Sequence, residues 1–369
     1  MKYDILTLDT QVFTTNSFDF DGGYLAQVKQ FKDGPIGVVI SSVVAREVRN
    51  QLAEKIRQAK DKFEGAVKDA LHYGLEAKAA EGLELLTGTP RIMATKRIQA
   101  YLAEIGAPGT VPVNLITVDQ LMDTYFKPAP PFAATGKKKA EFPDAVALLT
   151  LEAWAQKHGK KILAVSGDGD WSSYAEKSHY IDVVPDLKEA LARLQAHAKE
   201  AAALVESFLA EIDQDGSEAA KAFEALLDPE VEGYAVDPGV ETSQHAEVEG
   251  GELSLLEYHL AGDAPEFEFK VVRFGPWTVA ASIELILKAN ASAYVSFYHW
   301  DSVDKESIPM GGVVAEKEVE DLRATVIATW EKDVLEGEWA LDSVELISVD
   351  NPKIGYVEPD FGGDWEDED

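Results

Sequence analysis

The run KILAVSGDGDW, residues 161–171, sets Ser166, Asp168 and Asp170 directly after an almost wholly apolar stretch. Residues 162–165 read as a buried strand, and the turn-formers behind it deliver two carboxylates to the strand's C-terminal end. In an open parallel sheet those ends border the crevice where ligands bind, so acids there are placed for chemistry. Three further acids converge on it. Asp9 ends the short strand 4–8. Glu47 lies near the start of a long helix capped by Ser41 or Ser42, projecting between Val43 and Val44, and Asp144 opens a later helix on the face of Leu148, Leu151 and Ala155. Clustered carboxylates repel one another and either protonate or bind a cation. Hard oxygen donors suit Mg²⁺ or Mn²⁺, which pair with substrate phosphates. Two such ions roughly 3.5–4 Å apart would activate a water and stabilise a leaving oxygen, so the chemistry expected is metal-dependent phosphoester hydrolysis.

The elements that must position these acids are legible in the periodicity. Strands are predicted at 4–8, 36–40, 162–165 and 180–184, with a short one at 113–117 and a polar loop at 14–21. Val44, Val48, Leu52, Ile56, Ala59, Phe63 and Val67 recur every three or four residues, which predicts a helix with one face packed on a sheet. Other helices are expected at 24–31, from Asp119 as cap over 120–126, from Pro143 onward, and over 171–177. Residues 1–195 therefore read as an α/β three-layer sandwich with a mainly parallel sheet. Residues 196–232 read as a helical connector. From 233 to 357 the texture changes to a period of two, as in Trp277, Val279, Ala281, Ile283, Leu285 and Leu287, predicting an acidic α+β domain rich in antiparallel strands. Trp277, Tyr294, Phe297 and Trp300 are expected in its core. Residues 358–369 form an acidic tail of disordered composition.

Charge divides the chain in the same place. Residues 1–195 hold 24 Lys+Arg against 25 Asp+Glu, whereas the remainder holds 10 against 41 and carries nearly all of the net −32. Such asymmetry marks separate domains or an acidic interaction surface, though a solvated face is the commoner reason. The absence of cysteine excludes disulfides, a thiol nucleophile and Cys-ligated zinc, and fits a cytoplasmic location. No apolar run approaches the ~20 residues that span a bilayer, and the N-terminus has no signal-peptide pattern. The seven histidines show no metal-binding spacing.

The set LDT with Asp9, Glu47 after the second strand, PDA with Asp144, and SGDGDW with Asp168 and Asp170 resembles the PIN-domain nucleases. That resemblance, covering residues 1 to about 195, implies a Mg²⁺- or Mn²⁺-dependent endoribonuclease acting on single-stranded RNA. It implies Asp9, Glu47, Asp144 and Asp168 as catalytic metal ligands, Asp170 as an auxiliary acid, and Thr10 or Ser166 as a group orienting a ligand or water. The segment 57–139 is much longer than in the compact toxin ribonucleases, and the whole C-terminal half is additional. The chain looks more like the larger stand-alone bacterial PIN proteins.

Lys137, Lys138 and Lys139 precede Asp144 and would meet a phosphate backbone, Lys138 and Lys139 being the substrate-binding candidates, while Phe132, Phe142 or Trp171 would stack an unpaired base. Each residue also has a plainer reading: Asp9 as an Asx-turn, Glu47 as a capping-box partner, Asp144 as a complement to the helix dipole, Asp168 and Asp170 as turn residues, and the lysines as a solvated loop. SGDGDW also looks like the metal segment of haloacid-dehalogenase phosphatases, but their nucleophile motif needs a second Asp two residues after the first, where Gln11 stands. A different class of reading is a module that binds nucleic acid or protein without cutting. The acidic half would engage a protein partner or hold the nuclease in check from within, and an oligomer is compatible with the sequence.

Overall fold

The computed structural model describes residues 2–32, 34–74, 88–127, 130–132, 142–195, 199–262, 264, 266–301, 305–333 and 337–359. The chain divides into two compact units, Met1–His197 and Ala198–Asp369.

In the first unit, four short strands form one parallel sheet in the order β2-β1-β5-β6: β1 (Ile5–Leu8), β2 (Gly37–Val38), β5 (Ile162–Val165) and β6 (Ile181–Val184). Both central strands are buried at every position, as parallel strands covered on both faces must be. A two-stranded parallel pair, β3 (Ile40–Ser41) with β4 (Thr110–Val111), stands beside it, so the predicted strand 36–40 is two pieces. Chain order runs outward from β1 to β2 on one side and from β1 to β5 and β6 on the other. The crevice above β1 and β5 is therefore the point where the topology switches direction.

Helices flank this sheet: α1 (Thr10–Thr15), α2 (Gly23–Gln27), α3 (Ser42–His72), α4 (Pro90–Glu104), α5 (Val118–Phe126), α6 (Phe142–His158), α7 (Gly169–Ala175) and α8 (Leu187–Gln195). α3 buries Val44, Val48 and Leu52 at intervals of four, then only Val67. Phe63, expected on the sheet-facing side, is 41% exposed. Length explains this: 31 helical residues run about 46 Å, whereas four-residue strands span only ~13 Å, so the far half outruns the sheet and packs on α4 instead.

Local chemistry departs from expectation at three starts. Thr10–Thr15 is helical, with Asp9 as its cap, so the loop expected over 14–21 starts only after Thr15. Residues 113–115 form a 3-10 turn rather than a strand, since Pro112 precedes them and carries no N–H for a ladder. The cap of α5 is Thr117, not Asp119: its side chain accepts from Gln120 N while Gln120 returns a bond to the Thr117 N–H, a full capping box.

The second unit is an antiparallel sheet in the order β12-β11-β10-β8, with β9 beside β10: β8 (His245–Leu260), β9 (Phe269–Phe274), β10 (Thr278–Asp301), β11 (Glu306–Lys332) and β12 (Trp339–Val349), after a short β7 (Val240–Glu241) that pairs with β13 (Gly355–Tyr356). The two helices of the 196–232 stretch, α9 (Lys199–Ile212) and α10 (Glu218–Glu232), put Val205, Leu209, Phe223, Leu227 and Val231 into one core with Ile283, Leu285, Leu287, Val295 and Phe297 of β10. Of the four aromatics expected in this core, only Phe297 is there; Trp277 is 50% and Trp300 57% exposed, and Tyr294 is also exposed. Along β10 the inward face passes through 279, 281 and 283 and on to 295 and 297, which leaves Tyr294 on the opposite face, lying across Gly312 of β11. The acidic tail from residue 360 lies outside the described residues.

Candidate active site

The parallel register of β1 and β5 pairs Leu8 with Val165, so the next residue of each strand, Asp9 and Ser166, arrives side by side. Ser166 Oγ donates to Asp9 Oδ2 at 2.8 Å, and Asp9 Oδ1 accepts from Thr10 N at 2.6 Å. Both side chains are buried. Asp9 is thus a helix cap, as its plainer reading held, and at the same time a carboxylate at the switch point.

Glu47 reaches the same place from α3. The helix is capped by Ser41, whose Oγ accepts from Val43 N. Glu47 stands too far along to close a capping box with it; instead it accepts from Thr10 Oγ1 at 2.7 Å, across 37 residues of sequence. Asp168 is the cap of α7, accepting from Asp170 N at 2.6 Å, while its own N–H donates to Ser166 Oγ at 3.1 Å. Asp144, in the first turn of α6, accepts from Trp171 Nε1 at 3.2 Å. The hydrogen bonds therefore run continuously from Glu47 through Thr10, Asp9 and Ser166 to Asp168 and Asp170, with Asp144 tied in through the residue after Asp170.

These carboxylates share one field. Burial, opposed by the bonds from Ser166 and Thr10 and reinforced by Asp144 and Glu47, pushes the Asp9 carboxyl up to about 6. Burial likewise raises Asp144, with Glu47, Asp168 and Asp170 adding repulsion against the single bond from Trp171. Carboxylates held at the cost of desolvation and mutual repulsion are what a cation site requires, and hard oxygens alone match Mg²⁺ or Mn²⁺. Among the described residues no three acidic or histidine side chains converge closely enough to hold one ion as they lie. Asp9, Glu47, Asp144 and Asp168 are turned instead toward hydroxyl, backbone or indole donors, the arrangement that like charges adopt when neutral donors are within reach.

Two expectations about substrate contacts change. Trp171 is fully buried and Phe132 nearly so, which removes both as base-stacking rings; their size is used for packing, and Trp171 for holding Asp144. Lys138 and Lys139 lie outside the described residues. The indole contact to Asp144 was not foreseen, although the short interval between Asp168, Asp170 and Trp171 on a single turn was its signal.

No curated protein and no solved structure matches the chain. The family comparison is positive, and its span begins one residue into β1 and ends on Trp171, enclosing every acid of the constellation. Residues 6–171 match the family model described as PIN domain, so that stretch of the first unit carries a PIN domain, of a family whose members are usually nucleases and generally use divalent metal ions.

Proposed function

We propose that this protein is a metal-dependent endonuclease that hydrolyses phosphodiester bonds of single-stranded nucleic acid, RNA in preference to DNA. The observation that carries the reading is the gathering of Asp9, Glu47, Asp144, Asp168 and Asp170 at the β1–β5 switch point, where burial first and repulsion among neighbouring acids second raise Asp9 and Asp144. Asp9, Glu47, Asp144 and Asp168 would hold Mg²⁺ or Mn²⁺, with Asp170 as an auxiliary acid. The metal, when bound, supplies a nucleophilic water at neutral pH and charge stabilisation on the phosphate. The chain's own residues do the positioning. Ser166 and Thr10 hold Asp9 and Glu47 at the crevice, and Trp171 holds Asp144 there, so that the acids stand together when substrate phosphate enters. Lys138 and Lys139 would meet the phosphate backbone.

The direct test incubates the full chain with labelled single-stranded RNA and its DNA counterpart, in Mg²⁺, Mn²⁺ or EDTA, beside Asp144→Asn. Cutting that needs metal, favours RNA and disappears in the variant is the expected result. Absence of cutting under every condition would leave a binding module as the better description.

Ser166→Ala gives a graded check. It removes a bond to Asp9 and the acceptor for Asp168 N, and loss of such an outer partner typically lowers activity by ~10–100-fold. Steady-state kinetics should show that drop in kcat/KM, with full activity retained in Ser172→Ala, whose exposed hydroxyl makes only a long 3.4 Å contact to the Asp168 carbonyl.

A further inference from the structure

Four aromatic rings form one packed body on the N-terminal end of the helix that carries Asp144. Phe142, the first residue of α6, stacks on Tyr125 with centroids 5.0 Å apart and planes 27° off parallel. Phe132 meets Tyr125 edge-on at 5.3 Å and Phe142 at 5.2 Å from beneath. Phe126 meets Tyr125 edge-on at 5.2 Å and is 73% exposed. Phe132 is buried, Tyr125 and Phe142 half-buried, so the body is anchored at one side and open at the other.

A single exposed phenylalanine is ordinary on a protein surface. This one differs in support and in place. Tyr125, which it meets edge-on, is itself packed on Phe142 and Phe132, so the surface beside it is already ordered before anything lies on it. Phe142 is two residues before Asp144, about 3 Å along the helix axis. The chain already spends Trp171 and Phe132 on packing, so Phe126 is the ring of this cluster left to solvent. Among the described residues beside it, Lys127 and Asp123, both exposed, pair with each other at 3.9 Å.

We propose that Phe126, set against Tyr125 at the exposed edge of this cluster, is the stacking platform for an unpaired nucleobase of the strand whose backbone reaches the carboxylates. The proposal rests on the nuclease reading and names how that site takes single strands. A flat apolar ring accepts any base face, so the platform selects unpaired bases without reading sequence, and a duplex, whose bases are already stacked, cannot use it.

The experiment compares full-length wild type with Phe126→Ala and Phe126→Trp. It measures the binding of a fluorescein-labelled single-stranded RNA by anisotropy in EDTA at fixed salt, and then the cleavage kinetics with Mn²⁺. Stacking on one base is lost in Phe126→Ala, so affinity should fall and KM rise by roughly 5- to 100-fold, with kcat within about two-fold and recovery in Phe126→Trp. Substrates with one abasic position, walked along the strand, should show a position that penalises wild type and not Phe126→Ala. Unchanged affinity and KM in Phe126→Ala, with wild type binding or cutting, would overturn the platform and leave the nuclease standing. Affinity that depends on Phe126 without any cutting would support the platform and overturn the nuclease. No binding and no cutting by wild type would overturn both.

Discussion

Asp9→Asn is expected to abolish metal-dependent cleavage and, in EDTA at pH 8, to raise the melting temperature of the first unit. The two effects have one cause. Asp9 is buried between Ser166 and the start of α1, and its carboxyl is pushed from 3.8 up to about 6 because burial penalises the charged form more than its bonds favour it. A raised folded value means that the protonated form stabilises the fold. That contribution is fully present below pH 3.8 and is lost as pH rises through about 6, leaving the charge as a burden at pH 8. The burden is on the order of 3 kcal/mol at most. An asparagine keeps an acceptor for Thr10 N and carries no charge. Its melting curve should therefore coincide with wild type near pH 4 and separate by several degrees between pH 5 and 8, while kcat/KM falls by at least ~100-fold, more than loss of an outer partner costs. A lower melting temperature for the variant at pH 8 would show that the Ser166 bond outweighs the burial. Site residues that are stability burdens are common where activity needs a charged group in a dry place.

Trp171→Ala should be the most damaging substitution to the fold of the first unit. The side chain is fully buried, and truncating a buried tryptophan costs about 3–5 kcal/mol, lowering the melting temperature by roughly 10 °C in a domain of this size. Loss of activity in that variant would not separate packing from chemistry. Trp171→Phe does: it keeps a large ring while removing the Nε1–H that Asp144 accepts at 3.2 Å. The expected outcome is a destabilisation well below that of the alanine variant, together with a ~10–100-fold loss of kcat/KM typical of removing a group that orients a ligand. Urea unfolding of both variants, set against their cleavage rates, checks the pair. Full activity in Trp171→Phe would reduce the tryptophan to packing alone.

Much of the first unit was legible before any coordinates, and the reason is that its signals are local. Apolar runs broken by Asp9 and by SGDGD mark buried strands and their C-terminal ends within a few residues. The spacing of Val44, Val48 and Leu52 states a helix face, and the change to a period of two announces the second unit's sheet. The carboxylates themselves, Asp9, Glu47, Asp144, Asp168 and Asp170, could be named because strand ends and helix starts of a parallel sheet share one edge. What local pattern does not carry is how far an element outruns its neighbour, or which side of it solvent reaches. Only the tertiary structure decided that α3 leaves the sheet behind after Leu52, and that Trp300 stands in solvent while Phe297, three residues earlier, is buried. It also decided the partners: Thr10 for Glu47 and Trp171 for Asp144 are contacts across 37 and 27 residues. The register of β1 against β5 is set by the whole sheet closing at once, and that register is what turns five acids scattered over some 160 positions into a single field.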